Sequence, residues 1–327
     1  MAVTSIAVIG AGAVGSYYGA LLARAGHDVR FLLRRDLEAV RENGLQVHSP
    51  QGDFRLADAR AFSTPQEIGV CDWVICSLKA TALDDARALV APCVAPGTRI
   101  VALMNGLGVE QRFAEWFGAE RILGAMAFVC INRGDPGVVH HIDYGRLTIG
   151  HLTGNAAMLR DLDTLLTAAS MDVTASPDLL RARWEKLCWN IPFNGLSVAG
   201  GGITTRRILD DPVLRETADR AMREVVTAAN ADLAAEGSAE RLDEDGVLQA
   251  MFTQTDAMGP YRTSMVIDFV LGRPLEVEVI LGNPARRARA LGVSTPTIDT
   301  LYALVRAADL GRRGQRDVLS QADVIPN

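Results

Sequence analysis

The segment Ile6-Ala-Val-Ile-Gly10-Ala-Gly12-Ala-Val-Gly15 constrains this chain more than any other stretch. Four apolar residues of strand character run into G-x-G-x-x-G, and an apolar helical pattern over Ala13–Ala25 follows. Each glycine answers a backbone requirement. Gly10 permits a tight turn, Gly12 lets the main chain approach a pyrophosphate, and Gly15 lets the helix lie close to the strand. The helix N-terminus then faces the anion. A lone G-x-G-x-x-G is often only a glycine-rich turn. Here a strand precedes it and a helix follows, which is the context a dinucleotide-binding loop requires. Ala11, Ala13 and Val14 complete that loop. The nearly uncharged run Ile6 to Ala23 superficially suits a signal peptide or membrane span, but no basic residue precedes it and four glycines interrupt it.

The alternation continues through the first half. Strands are expected at Ile6–Ile9, Val29–Leu33, Trp73–Ser77, Arg99–Met104, Ile122–Phe128, Val138–His141 and Arg146–Ile149. Helices are expected at Ala13–Ala25, Leu37–Asn43, Ala82–Val90 and Val109–Phe117. Near-continuous apolar strands separated by helices indicate a mainly parallel sheet covered on both faces. After about Pro177 the pattern becomes long and amphipathic, with helix stops near Gly237, Gly272 and Gly292, as in an all-helical domain. The expected division is therefore a dinucleotide-binding domain over 1–176 and a helical substrate-binding and catalytic domain over 177–327, which suits a length of 327 residues. The polar, arginine-rich tail from Gly311 is expected to fray.

The end of the second strand bears on which dinucleotide is bound. An Asp or Glu there, about 20 residues past the glycines, would hold a ribose 2′-hydroxyl. Phe31-Leu32-Leu33 instead leads into Arg34-Arg35, with no acid before Asp36. A guanidinium holds a 2′-phosphate by paired hydrogen bonds, so Arg34 points to NADP(H).

Bulk properties exclude several classes. A net charge of -6 argues against nucleic acid or an anionic membrane as partner. Five cysteines without a C-x-x-C suggest reduced, buried thiols and a cytoplasmic location. The histidines lack metal-ligand spacing, and no G-x-S-x-G elbow is present. Basic residues number 33, yet only Lys79 and Lys186 are lysine. Arginine is always charged, whereas a lysine can be tuned to release a proton, so these two positions are where amine chemistry would sit.

Lys186, Asn190 and Asn194 are successive i, i+4 positions, so a helix would stack one amine and two carboxamides on one face. Satisfaction of that stripe by neighbouring backbone is the structural alternative. Pro192 withdraws one amide donor from the same helix and should disturb it locally. Ala182, four residues before Lys186, rules out a Tyr-x-x-x-Lys relay. Lys79 and Asn105 each follow a strand, at the sheet edge where ligands bind open α/β sheets, although Asn105-Gly106 is also ordinary turn chemistry. Glu276 and Glu278 precede a helical run, where a carboxylate can simply complement the helix N-terminus.

Taken together and in order, Gly10-Ala-Gly12-Ala-Val-Gly15, Leu78-Lys79, Asn105-Gly106-Leu-Gly108, Lys186-x-x-x-Asn190-x-x-x-Asn194, Ser264-Met265 and Pro274-Leu-Glu276 resemble the ketopantoate reductase (2-dehydropantoate 2-reductase) family nearly end to end. The resemblance implies a Rossmann-type α/β domain followed by an all-α domain, and NADPH-dependent reduction of ketopantoate to pantoate. It implies Lys186 as proton donor, with Glu276 anchoring the substrate's terminal hydroxyl. Asn105, Asn190, Asn194 and Ser264 would contact substrate, with Lys79 nearby, and Arg34 would take the 2′-phosphate. A homodimer is an open expectation. Two positions depart from the family pattern. Gly195 stands where proline commonly follows the asparagine, and Leu281 stands where asparagine commonly follows the glutamate motif. Both fall on the substrate side, so reduction of another small 2-oxo acid, or its reverse oxidation, is the alternative. A nonenzymatic dinucleotide sensor is a third reading, which the intact Lys186/Asn190/Asn194/Glu276 set opposes.

Overall fold

The computed structural model describes residues 3–312. They divide into two units, one ending at Ala182 and the other starting at Arg183.

The first unit is built on one ten-stranded sheet. Its strands are β1 (Ser5–Ile9), β2 (Asp28–Leu32), β3 (Leu45–His48), β4 (Phe54–Leu56), β5 (Arg60–Phe62), β6 (Trp73–Cys76), β7 (Arg99–Leu103), β8 (Ile122–Arg133), β9 (Val138–His151) and β10 (Val173–Ala175). The helices are α1 (Ala13–Arg24), α2 (Leu37–Asn43), α3 (Pro65–Ile68), α4 (Leu83–Val90), α5 (Val109–Phe117) and α6 (Ala156–Ala168). The strand order is β4-β3-β9-β8-β7-β6-β1-β2-β5, with β10 added alongside β9. Only β3/β4 and β8/β9 pair antiparallel. Residues Ile6, Ala7, Val8 and Ile9 have no exposed surface, as a central strand covered on both faces requires.

β1 lies between β2 and β6, both parallel to it. The connection from β1 goes to one side and the later strands lie on the other, so the strand order reverses at β1/β6. The carboxyl edge at such a reversal is where open α/β sheets bind ligands.

The second unit is helical. It holds α7 (Leu179–Ala199), whose first turn straddles the division, then α8 (Thr205–Asp210), α9 (Pro212–Ala235), α10 (Glu244–Met258), α11 (Ser264–Val270), α12 (Asn283–Ala290) and α13 (Pro296–Arg312). A π-helical turn over Glu278–Gly282 leads into α12. Helices α9, α11 and α12 each end two residues before the expected glycine stops at 237, 272 and 292.

Two sequence expectations need correction. Val138–His141 and Arg146–Ile149 are not two strands but parts of one, β9. Asp143-Tyr144-Gly145 reads as a turn, yet β8 and β9 continue past it with register shifts, and Tyr144 and Gly145 at positive φ absorb the extra length as a bulge. Strands β3, β4, β5 and β10 are three or four residues long and were not expected, because such short segments carry no readable period. α7 runs through Pro192 to Ala199. Most of the tail expected to fray, 313–327, lies outside the described residues. Among those described, no helix is long and apolar enough to cross a membrane.

Candidate active site

The glycine loop has the shape its sequence requires. Gly10 sits at φ +89, and a Cβ there would come within 2.6 Å of the Leu78 backbone nitrogen, so neither the dihedral nor the space admits a side chain. At Gly15 a Cβ would lie 2.8 Å from the Gly10 carbonyl and against Ser77 Oγ. Ser77 Oγ donates to that carbonyl at 3.0 Å, and Ser77 N–H donates to Ile9 O at 2.8 Å, which pins the loop to the end of β6. Gly12 differs: nothing but the Gly10 carbonyl, at 3.9 Å, lies near its Cβ position. The space beside the Gly12 Cα is therefore open, and the first turn of α1 carries no acidic residue and no side-chain cap. Backbone donors left in this way suit a pyrophosphate. The loop residues present fit a bound dinucleotide.

Beyond β2, Arg34 is exposed and makes no ion pair or hydrogen bond with a described residue. Asp36, the first acid after it, is buried and held by Arg35 and Arg133. Hydrogen bonds and charge from those two guanidiniums keep its carboxyl below the usual range despite burial, which acts the other way. Asp36 therefore lacks the free acceptor geometry of a ribose-binding carboxylate. Lys79 is exposed three residues past β6, and Asn105 is half-buried two residues past β7; both are engaged with neighbours.

In the second unit, α7 carries the polar stripe. Lys186 is half-buried, Asn190 is 6% exposed and Asn194 is 1% exposed, so the stripe runs from a partly open end into the interior. Asn194 Oδ1 accepts from Met265 N–H at 3.1 Å, while its Nδ2 is buried with no partner among the described residues. Asn190 makes no side-chain hydrogen bond to any described residue. A buried amide donor left unpaired costs about 1–3 kcal/mol, so Asn194 Nδ2 as it stands adds nothing to stability. Ser197, one turn further along the same face, is also fully buried with its hydroxyl unpartnered.

Burial pushes the Lys186 ammonium down from 10.5 to about 7, aided by the Arg183 guanidinium and opposed by the Glu276 carboxylate. Glu276 is buried immediately before the turn that leads to α12, and its carbonyl accepts from Ile280 N–H at 3.2 Å. Ser264 is exposed at the first position of α11, where Thr263 supplies the cap.

The surrounding framework was not foreseen. Arg183, 3% exposed, precedes Lys186 by one turn, a spacing that the sequence displayed without a reason to act on it. Trp184 Nε1 donates to Asp232 Oδ2 at 2.8 Å, and Trp189 Nε1 donates to Thr255 Oγ1 at 2.9 Å. Asp232 also accepts from Arg287 Nε at 2.6 Å. Leu275 N–H, beside Glu276, donates to Asp309 Oδ1 at 3.0 Å. The two tryptophan bonds anchor faces of α7 that do not carry the stripe. Among the described residues no group of His, Cys, Asp and Glu could hold a metal, and all five cysteines are free thiols.

The fold agrees with that of known proteins. A family model described as ketopantoate reductase PanE/ApbA matches residues 6–154, and its C-terminal counterpart matches 178–309. A 2-dehydropantoate 2-reductase of Nostoc sp. is 38% identical over 319 residues, covering 95% of this chain and 98% of that protein. The crystal structure of 2-dehydropantoate 2-reductase from Geobacter metallireducens superposes with a TM-score of 0.89 at 44% identity, covering 93% of this chain and 99% of the other. That of the Methylococcus capsulatus 2-dehydropantoate 2-reductase gives 0.85 at 35% identity, covering 94% and 97%.

Proposed function

The chain belongs to the ketopantoate reductase family, and from that premise we propose that it reduces ketopantoate to (R)-pantoate with NADPH. The observation that carries the reading is the α7 stripe: a partly buried amine followed, at one-turn intervals, by two carboxamides with unused donors. A site of that composition is suited to a carbonyl oxygen that gains negative charge.

The chemistry a bound nicotinamide supplies is a hydride for the keto carbon. The rest falls to the chain. Gly10, Ala11, Gly12, Ala13, Val14 and Gly15 cradle the pyrophosphate through backbone donors, and Arg34 pairs with the 2′-phosphate. As the keto C=O double bond becomes a single bond, its oxygen takes up an electron pair and Lys186 gives it a proton from Nζ, leaving a hydroxyl and a neutral amine. Water then restores the ammonium. Glu276 accepts the hydrogen bond of the substrate's terminal hydroxyl. Asn190, Asn194, Ser264, Lys79 and Asn105 donate to substrate oxygens, and Lys79 and Asn105 also border the cofactor.

Both departures from the family pattern have packing reasons. A Cβ at Gly195 would meet the Leu301 side chain at 3.1 Å, so glycine admits that residue of α13. Leu281 is fully buried in the π-helical turn, where it packs in the core. The chain is expected to act in the cytoplasm, without nucleic acid or membrane as partner. Turnover of ketopantoate with NADPH tests the proposal, and its absence removes it.

A further inference from the structure

The end of β2 carries charge that a dinucleotide motif does not call for. Leu33 N–H donates to Phe62 O at 3.0 Å, which extends the sheet by one residue, and Arg34, Arg35 and Asp36 follow. Asp36 is only 6% exposed. Its two oxygens are taken by different guanidiniums: Arg35 Nε donates to Oδ1 at 2.5 Å, and Arg133 Nη2 donates to Oδ2 at 2.5 Å. Arg133 comes from the far end of β8, 97 residues along the chain. Arg35 also donates to the Gly134 carbonyl at 3.3 Å, so both arginines tie this corner to the end of β8.

A buried carboxylate two residues beyond Arg34 would oppose a phosphate dianion held there. Arg35 and Arg133 are the two positive charges that outweigh it, and Arg133, with its side chain 33% exposed against 48% for Arg35, is the less screened of the two. We propose that Arg133 determines cofactor specificity through Asp36: by neutralising that carboxylate, it lets Arg34 accept the 2′-phosphate that distinguishes NADPH from NADH. The proposal rests on the NADPH reading of Arg34. A ribose 2′-hydroxyl carries no charge, so the same correction gives NADH almost nothing. A unit charge uncovered within about 10 Å of a dianion, at an effective dielectric between protein and water, corresponds to roughly a tenfold change in affinity.

The test is kcat/KM for NADPH and for NADH in the full-length enzyme at low ionic strength. Wild type, Arg133→Gln, Arg133→Lys, Asp36→Asn and the double variant Asp36→Asn/Arg133→Gln are compared. Arg133→Gln is expected to lower the NADPH value about tenfold and the NADH value less than twofold. Arg133→Lys should hold the wild-type cofactor ratio. In the double variant most of the NADPH loss should be recovered, because the uncompensated carboxylate is gone. Equal losses for both cofactors, or no recovery in the double variant, would overturn the proposal and leave Arg133 a structural latch. Should Arg133→Gln fail to fold, Asp36→Asn alone decides. It is expected to keep or raise the preference for NADPH, and a fall overturns the idea. Wild type preferring NADH would instead refute the NADPH reading itself, and this inference with it.

Discussion

At the scale of single residues, the account turns on one amine. Lys186 was conspicuous in the sequence because the chain otherwise uses arginine, and its i, i+4 partners Asn190 and Asn194 were legible from spacing alone. Arg183 was not, since a buried guanidinium one turn away looks on paper like surface charge. Replacing Lys186 with alanine is expected to lower kcat by about 10² or more, while the circular dichroism spectrum stays native. The pH profile follows from its lowered pKa. The protonated amine is the form needed for reduction, so kcat/KM for the keto acid should fall tenfold per pH unit above about 7. Oxidation of the hydroxy acid, which needs the neutral amine, should rise over the same range. A reduction profile flat to pH 9 would contradict the role. Stability moves with the same group. Its folded pKa of about 7 lies below the unfolded 10.5, so the unfolded chain binds more protons between those values. The cost to folding is fully present below pH 7 and fades as pH rises toward 10.5. Lys186→Met should therefore raise the melting temperature at pH 6–7 by about 2 °C or more, and the gain should shrink by pH 10. For Arg34→Ala, KM for NADPH should increase about tenfold or more, with little change for NADH; equal effects would point to a folding defect.

At the scale of elements, α7 is placed by bonds that no local pattern reveals. Its tryptophans reach Asp232 and Thr255, 48 and 66 residues away, and Asn194 caps the Met265 amide 71 residues away. Sequence spacing can say which residues share a helical face, but not which distant side chain completes them. Asp232→Ala would leave the Trp184 indole donor buried and unpaired and leave Arg287 with Glu236 alone. Denaturant unfolding should register a loss of about 2–3 kcal/mol, and a loss below about 0.5 kcal/mol would show that the anchor is dispensable. The long strands show the complementary failure. Asp143-Tyr144-Gly145 has turn composition, yet pairing with β8 carries β9 through it, so tertiary context overrides a local signal. The α1 loop was legible as far as its demands are local, in the positive φ at Gly10 and the close approach of Gly15 to the Gly10 carbonyl; the contacts with Ser77 and Leu78 were not.

For the whole molecule, alternating apolar strands and helices followed by purely helical periods were enough to indicate an α/β unit and then an α unit. Chain order carries that information, and the parallel sheet with its reversal at β1/β6 follows from it. Substrate identity is not carried in the same way, because Asn190 and Asn194 would serve any small 2-oxo acid and selectivity depends on pocket dimensions. The most direct test is steady-state NADPH oxidation with ketopantoate set against a panel of other small 2-oxo acids. The account predicts that ketopantoate gives the highest kcat/KM, by about tenfold or more over acids lacking the terminal hydroxyl that Glu276 would hold. No turnover of ketopantoate, or a higher kcat/KM for an acid without that hydroxyl, would contradict it.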